Sequence, residues 1–381
     1  MSTTDELCTV GVEEEFLLVD AETGAPTVNS AVVVAEAAKH GLELQYELDR
    51  CQVETASAVC SDSEQLRVDL ATTRSIAADA ARRHGSRLLA VGVPVLGWRE
   101  LPVTAKPRYL RMEREFGLIA REQGICGCHV HVGVPDRETA IQVSNHLRPW
   151  LPTLLALSAN SPIHRDIDTG YASWRTLLWA RWPSAGPPPY FESVQHFDRT
   201  VEAMQETGSM LDDGMVYWDV RPSATFPTVE VRVCDVPATV AESVLLASLI
   251  RALVLTALRD LDRGHTAFPV SPELLRAAYW RGAHDGLDGD GIALPRSERQ
   301  PIAHRLESLV EHVCPALEDL GSRLLVTEGI RSVMCSGNGA MRQRRVLAAG
   351  GDVQDVVAEL TASTVSGCAA VKEPGDPCST G

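Results

Sequence analysis

GVEEEF, residues 11–16, lies inside an apolar run from Thr9 to Val19 and sets three adjacent carboxylates in a segment with strand character. Glu is depleted in strands, and neighbouring carboxylates repel one another. Strand geometry separates the three. Successive side chains alternate between faces, so Glu13 and Glu15 share one face, while Glu14 points the other way with Val12 and Phe16. Two further segments have the same design. In HVHVGV (129–134), His129 and His131 share a face backed by Val130, Val132 and Val134. In TVEVRV (228–233), Glu230 and Arg232 share a face backed by Val229, Val231 and Val233. Each segment thus offers one apolar face to a core and one face of ionisable groups.

A single strand of this kind fits any antiparallel sheet with one face in water. Three of them are harder to explain that way, because the polar residues are Glu, Glu, His, His, Glu and Arg rather than Lys, Thr and Ser. That set combines metal ligands with an arginine suited to phosphate. Its carboxylate excess suits Mg²⁺, with Mn²⁺ as the alternative, better than zinc. A fourth segment, YELDRCQVET (46–55), adds Glu47, Asp49 and Glu54 as candidate ligands. Glu47 and Glu54 are seven apart and fall on opposite faces of one continuous strand. They converge only if a turn or bulge intervenes, and Asp49–Arg50–Cys51 is the expected place.

Composition narrows the partners. The 381 residues are 45% hydrophobic and 23% charged, with a net charge of −16. Such a chain is repelled by nucleic acid and by anionic lipid, so small-molecule substrates are expected, with no nucleic acid and no membrane. The sequence leaves the oligomeric state open, and a homo-oligomer is allowed. The ten cysteines form no C-x-x-C pair. MSTTDELC lacks the basic and apolar regions of a signal peptide. The longest apolar stretch, Val244 to Leu258, is interrupted by Arg251 and reads as too short to span a bilayer. A cytoplasmic protein with reduced thiols is expected.

Helical spacing is read over 30–40, 63–84, 106–123, 136–158, 241–261, 272–283 and 302–320, and short strands over 42–55 and 88–95. Arg251 and Arg259 lie off the apolar spacing of the 241–261 helix. This mixture predicts an α+β fold rather than a regular βαβ series. A single domain is expected over 8–361. The Ser/Thr/Gly/Pro-rich segment 362–381 is expected to be an unstructured tail.

The ordered motifs GVEEEF, CGCHVHVGV (126–134), LLALSANSP (154–162) with DTGYASWR (168–175), and WDVRPSATFPTVEVRVCD (218–235) resemble the type 2 glutamate–cysteine ligase family, the bacterial carboxylate–amine ligases. YWRGAHDGLDG (279–289) and GNGAMRQRRV (337–346) fit its C-terminal part, so the resemblance covers about residues 8 to 346. It implies a catalytic sheet similar to that of glutamine synthetase: an antiparallel sheet curved into a funnel, helices packed on its outer face, and ATP and divalent metals inside. It implies phosphorylation of the glutamate γ-carboxylate by ATP, then attack by an amine, that of cysteine in the named activity. Carried over by position, it places metal ligands at Glu13, Glu15, Glu47, Glu54, His129 and Glu230. It places phosphate contacts at Arg232 and His131, and carboxylate or phosphate clamps at Arg175 and Arg221. An acyl phosphate needs protection from water, and the polar segment 160–171 is a candidate closing loop. The segment VGVPVLGWR (91–99) lacks the histidine that related chains often carry there, which leaves the substrates open. Two other readings stay in view: a ligase of the same fold joining a different carboxylate and amine, and a metal-dependent hydrolase. A non-catalytic scaffold ranks last, since all six ligand positions keep ligand-competent side chains.

Overall fold

The structure, a computed structural model, describes residues 8–97, 101–294 and 296–368. In chain order its strands are β1 (Val10–Asp20), β2 (Gln45–Tyr46), β3 (Gln52–Ala56), β4 (Ser86–Leu89), β5 (Gly127–Gly133), β6 (Ile163–His164), β7 (Ile167–Asp168), β8 (Val220–Pro222), β9 (Thr228–Asp235), β10 (Asp290–Ala293) and β11 (Glu298–Pro301). Seven of them make one open antiparallel sheet in the order β2-β3-β1-β5-β9-β8, with β4 on the far half of β1. The pairs β6–β7 and β10–β11 are separate hairpins. GVEEEF belongs to the first half of β1, where β3 flanks it on one side and β5 on the other. The expected α+β class with an antiparallel sheet and helices on one face is what the chain forms.

The apolar face follows the alternation. Val10, Val12, Val130, Val132, Val229 and Val231 join one buried cluster with Leu246, Leu249 and Leu253 of the helix Val240–Asp262. Full burial of each such leucine contributes about 1.5–3 kcal/mol. This helix has 23 residues, longer than the apolar stretch suggested, and is apolar and long enough to cross a membrane. Burial marks it as a core helix instead: 83% of its most apolar window is covered by the rest of the protein. Arg251 is also buried, contrary to its expected place off the apolar face, and its Nε donates to the Cys8 carbonyl at 2.6 Å. Other long helical readings divide at backbone breaks. Gly117, at φ 55°, separates Pro107–Phe116 from Leu118–Arg121. The 136–158 segment becomes Arg137–Leu147 and Leu151–Ser158, with Pro152 in the first turn of the second. The 88–95 segment pairs only as far as Leu89; beyond it, Ala90 donates to the Thr364 hydroxyl at 2.8 Å rather than to a strand.

Glu14 lies on the apolar side and is fully buried. Arg74 of the helix Ser63–Arg83 meets it with two hydrogen bonds, Nε to Oε2 at 2.9 Å and Nη2 to Oε1 at 2.6 Å. The Ser243 hydroxyl donates to the same carboxylate at 2.6 Å. The remaining arginine hydrogens reach the carbonyls of Pro237, Ala238 and Thr364 at 3.0, 3.3 and 3.2 Å. Residues 362–364, expected in the tail, are instead the end of the last helix, Val353–Thr364. Leu360 and Thr364 are buried and hold the chain against the sheet. Residues 369–381 lie outside the described residues.

Removing one partner of a buried ion pair leaves an uncompensated charge and costs about 3–5 kcal/mol. Arg74→Met is expected to lose about that much in urea unfolding, and Glu14→Leu/Arg74→Met to regain most of it. A single variant as stable as the parent would show that the pair has no structural role.

Candidate active site

The polar face of the sheet collects the ionisable groups in register. Glu13 lies opposite His129, Glu15 opposite Glu54, His131 opposite Glu230, and Arg221 opposite Glu230. Glu47 joins them through the hairpin between β2 and β3. Gln45 pairs with Glu54, so Glu47, two residues beyond Gln45, returns to the Glu54 face. The intervening turn meets the geometric demand set by their spacing. Between Cys128/Cys234 and Val130/Val231, β9 carries one extra residue opposite His129. This β-bulge lies at Arg232–Val233 and interrupts strict alternation there.

These groups line a cavity of about 320 Å³. His129 Nδ1 is 3.3 Å from Glu13, and His131 Nε2 is 3.5 Å from the other Glu13 oxygen. His129 Nε2 lies 3.8 Å from Glu15, which also accepts the Gly127 N–H at 2.5 Å. His131 Nδ1 is held 3.0 Å from the Thr228 hydroxyl. At the other end, Glu230 is bridged by two arginines: Arg221 Nε donates to it at 2.8 Å, and Arg232 hydrogen bonds to its second oxygen.

Local charge sets the protonation of each group. Burial, then the Glu15 charge, pushes Glu47 up to about 8. Burial, then the charges of Glu47, Glu13 and Glu15, lifts Glu54 well above the ordinary carboxylate range. Burial also opposes ionisation of Glu13, but hydrogen bonds with His129 and His131 outweigh it and hold Glu13 far below that range. Glu230 is held low in the same way, with Arg232 and Arg221 overcoming burial. Burial and the Arg232 charge lower His129, which favours the neutral imidazole that metals bind.

The donor set fits divalent cations. Three overlapping groups each bring their ligand atoms within 4.8 Å of one another: Glu13/Glu54/His129, Glu13/His131/Glu230 and Glu15/Glu47/Glu54. Like charges directly opposite across strands are destabilising. A compensating charge must therefore come from protons or from a metal. Oxygen-dominated ligands suit Mg²⁺ or Mn²⁺.

Other sequence candidates are placed differently. Asp49 turns away from the cavity, accepts the Gly124 N–H at 2.7 Å and, through burial, is raised to about 7. Arg175 reaches the cavity wall, but its two Nη groups donate to the carbonyls of Val233 and Arg232 at 3.4 and 3.3 Å. The 160–171 segment does not border the cavity. Asn160 and Ser161 at its base are pinned by Asp235 at 2.8 and 2.7 Å, and most of the rest forms β6–β7. The rim is supplied instead by Arg108, Tyr109, Tyr217 and residues 223–226, which the sequence reading did not single out. They come from a helix and from loops, where alternation gives no signal.

A family model described as glutamate–cysteine ligase family 2 matches residues 9–359. The chain is 56% identical over 361 residues to a Nocardia farcinica protein provisionally named glutamate–cysteine ligase 2-1, covering 95% of this chain and 94% of that one. It is 55% identical over 360 residues to a Mycolicibacterium vanbaalenii protein provisionally named glutamate–cysteine ligase 2-2, covering 94% and 99%. In fold it is similar to a bifunctional glutathione synthetase from Pasteurella multocida, with TM-score 0.71 and 15% identity over 95% of this chain and 53% of that one. It is also similar to a glutamate–cysteine ligase from Francisella tularensis solved in complex with AMP, with TM-score 0.68 and 12% identity over 94% and 89%. The class is therefore a carboxylate–amine ligase with the glutamine synthetase-like fold. The chain belongs to glutamate–cysteine ligase family 2.

Glu47 carries a testable linkage. Its ordinary value is 4.5 and its folded value about 8. Between these, the folded protein keeps a proton that the unfolded chain releases, so stability falls as pH rises through the window. In EDTA, Tm is expected to decline from about pH 5 to about pH 8, and Mg²⁺ to raise it most at the upper end. Glu47→Gln should flatten the decline and shrink the Mg²⁺ increment. Unchanged profiles would remove Glu47 from the cation site.

Proposed function

We propose that the protein is an ATP-dependent carboxylate–amine ligase that joins L-glutamate to L-cysteine. The reaction passes through γ-glutamyl phosphate and yields γ-glutamylcysteine, ADP and phosphate. The observation that carries this reading is the division of one cavity into a carboxylate-rich end and an arginine end on the same sheet face. Glu13, Glu15, Glu47, Glu54, His129 and Glu230 would hold Mg²⁺, which when bound neutralises the phosphate charge and aligns the β- and γ-phosphates. Arg232 presents a planar fork to the transferring phosphoryl group. His131, anchored by Thr228, lines the same cavity as a second phosphate contact. Arg221 acts by fixing Glu230, and Arg175 by holding the carbonyls of the β9 bulge. Both are positioning residues rather than free clamps.

A groove of about 580 Å³ continues from the cavity mouth and shares Glu13, His131 and Phe226 with it. Val59 and Phe226 are exposed there, 77% and 59%. An apolar slot beside a cluster of metal-ligand type suits the flat base of ATP, with the phosphates directed to the carboxylates. The closing role expected of 160–171 passes to the rim segments, 108–112 and 223–226. A reaction inside the cell, using cytoplasmic ATP, accords with this reading.

ADP release is the discriminating measurement. It is expected only when Mg²⁺, ATP, glutamate and cysteine are all present. Glu15→Gln and Glu230→Gln should each lower it by about a hundredfold or more, as for other groups that stabilise transition-state charge. Full Mg²⁺-dependent activity in either variant would overturn the ligand assignment. A screen of amino acids in pairs tests the substrates, and strong release with another pair would redirect the reading to that ligase. Substrate hydrolysis without ATP would replace the ligase with a hydrolase.

A further inference from the structure

A second cavity, of about 790 Å³, lies beyond the wall formed by Arg175 and Trp179. It is large enough for a drug-sized ligand. Leu177, Trp179, Val233, Ala277, Tyr279 and Trp280 make its lining mainly apolar. Trp280 is 43% exposed yet held in place. His284 stacks on it at 5.0 Å, the Arg281 guanidinium lies 4.7 Å from its ring, and its Nε1 donates to the Tyr171 hydroxyl at 3.3 Å. The charges in the lining are already matched. Burial raises Asp219 only to about 6, because the charges of Arg175 and Arg232 and a hydrogen bond from the Tyr279 hydroxyl oppose it. Arg175 also has the Asp235 carboxylate 3.9 Å away. On the exposed rim, Glu273 and Arg276 supply one charge of each sign. Two donors in the shared wall are left over: Arg175 Nε and Trp179 Nε1 are buried and have no acceptor among the described residues.

We infer that this cavity binds an uncharged, flat ring system carrying a hydrogen-bond acceptor, the ring between Trp179 and the Tyr279–Trp280 side and the acceptor toward the shared wall. A ligand charge of either sign would be desolvated in a lining whose own charges already have partners, and nothing there would answer it. A buried donor without an acceptor carries a desolvation penalty, which a ring carbonyl or ring nitrogen relieves without adding charge. A flat ring also gains from packing against aromatic side chains. Trp280, fixed before any ligand arrives, lowers the ordering cost of binding. The site needs nothing from the ligase reading. Its occupancy can be measured without ATP or amino-acid substrates.

Isothermal titration of the whole protein with 2-quinolinone, a neutral flat ring with a carbonyl, tests it against two charged rings of similar size, 2-naphthoate and 2-naphthylmethylammonium. 2-Quinolinone is expected to bind at one site, and each charged probe to bind about tenfold more weakly or worse. Trp179→Phe, which keeps an aromatic wall and removes one donor, should weaken 2-quinolinone about fivefold to tenfold, the scale of one hydrogen bond. Ala277→Trp, a substitution at an exposed helix position that fills the cavity, should abolish binding. Binding should persist when MgATP is added. No measurable binding of 2-quinolinone, equal or tighter binding of either charged probe, or undiminished binding by Trp179→Phe or Ala277→Trp would overturn the inference. So would displacement by MgATP, which would assign the signal to the first cavity.

Discussion

The buried Glu14–Arg74 pair governs how β1 can be used. A strand that carries three consecutive glutamates must put one of them into the core face, where an unpaired carboxylate is prohibitive. Arg74 supplies both charge and fork geometry. Its leftover donors reach the entry to the helix Val240–Asp262 and the end of the helix Val353–Thr364. One guanidinium thereby ties the strand to three helices far apart in sequence. With Glu14 fixed inward, a slip of one residue in β1 would bury Glu13 and Glu15 and expose Glu14, so the pair also sets the register on which the candidate site depends.

Alternation made much of that site legible. Val12/Glu13/Glu14/Glu15, Val130/His131/Val132 and Val229/Glu230/Val231 obey it, and their facing residues follow from the fold once the strands pair. It was silent where the backbone departs from regularity. The β9 bulge at Arg232–Val233 is invisible in TVEVRV, since nothing in the side chains announces an extra residue. Glu47 needed a hairpin whose register only pairing supplies. Arg108, Tyr217 and residues 223–226 approach the cavity by tertiary packing, without a periodic signature. The 160–171 segment differs for a related reason: its polar residues read as solvent-seeking, but the Asn160 amide donates to the carbonyls of Ala90 and Val236, the Ser161 hydroxyl donates to Asp235, and both residues are buried.

Net charge is a poor guide to the field in this cavity. The chain as a whole is strongly acidic, yet along the sheet the sign changes over a few residues. Glu15, Glu47 and Glu54 crowd together at one end, and Arg221 and Arg232 flank Glu230 at the other. Separation of like charges by protonation alone costs the fold stability at neutral pH. A site arranged to receive cations carries that cost in their absence and regains it on binding. The arrangement is thus less stable than an apolar sheet face would be, as expected of pre-organised functional sites.

The bulge gives the arginine end its shape. In a regular ladder β9 would hold Arg232 directly opposite His129 by two-residue steps, with no slack in its backbone. The extra residue frees the local carbonyls of Arg232 and Val233 from that spacing, and both are taken by Arg175, packed so tightly on Gly127 that a Cβ there would lie 2.3 Å from its guanidinium. Arg175 therefore does for β9 what Arg74 does for β1: it pays no part in lining up charge for solvent and instead fixes where a strand's side chains point. Gly127 is required by this contact rather than by turn geometry. The CGCHVHVGV motif then reads as one device, its glycine admitting the arginine that shapes β9 and its histidines meeting the carboxylates of β1.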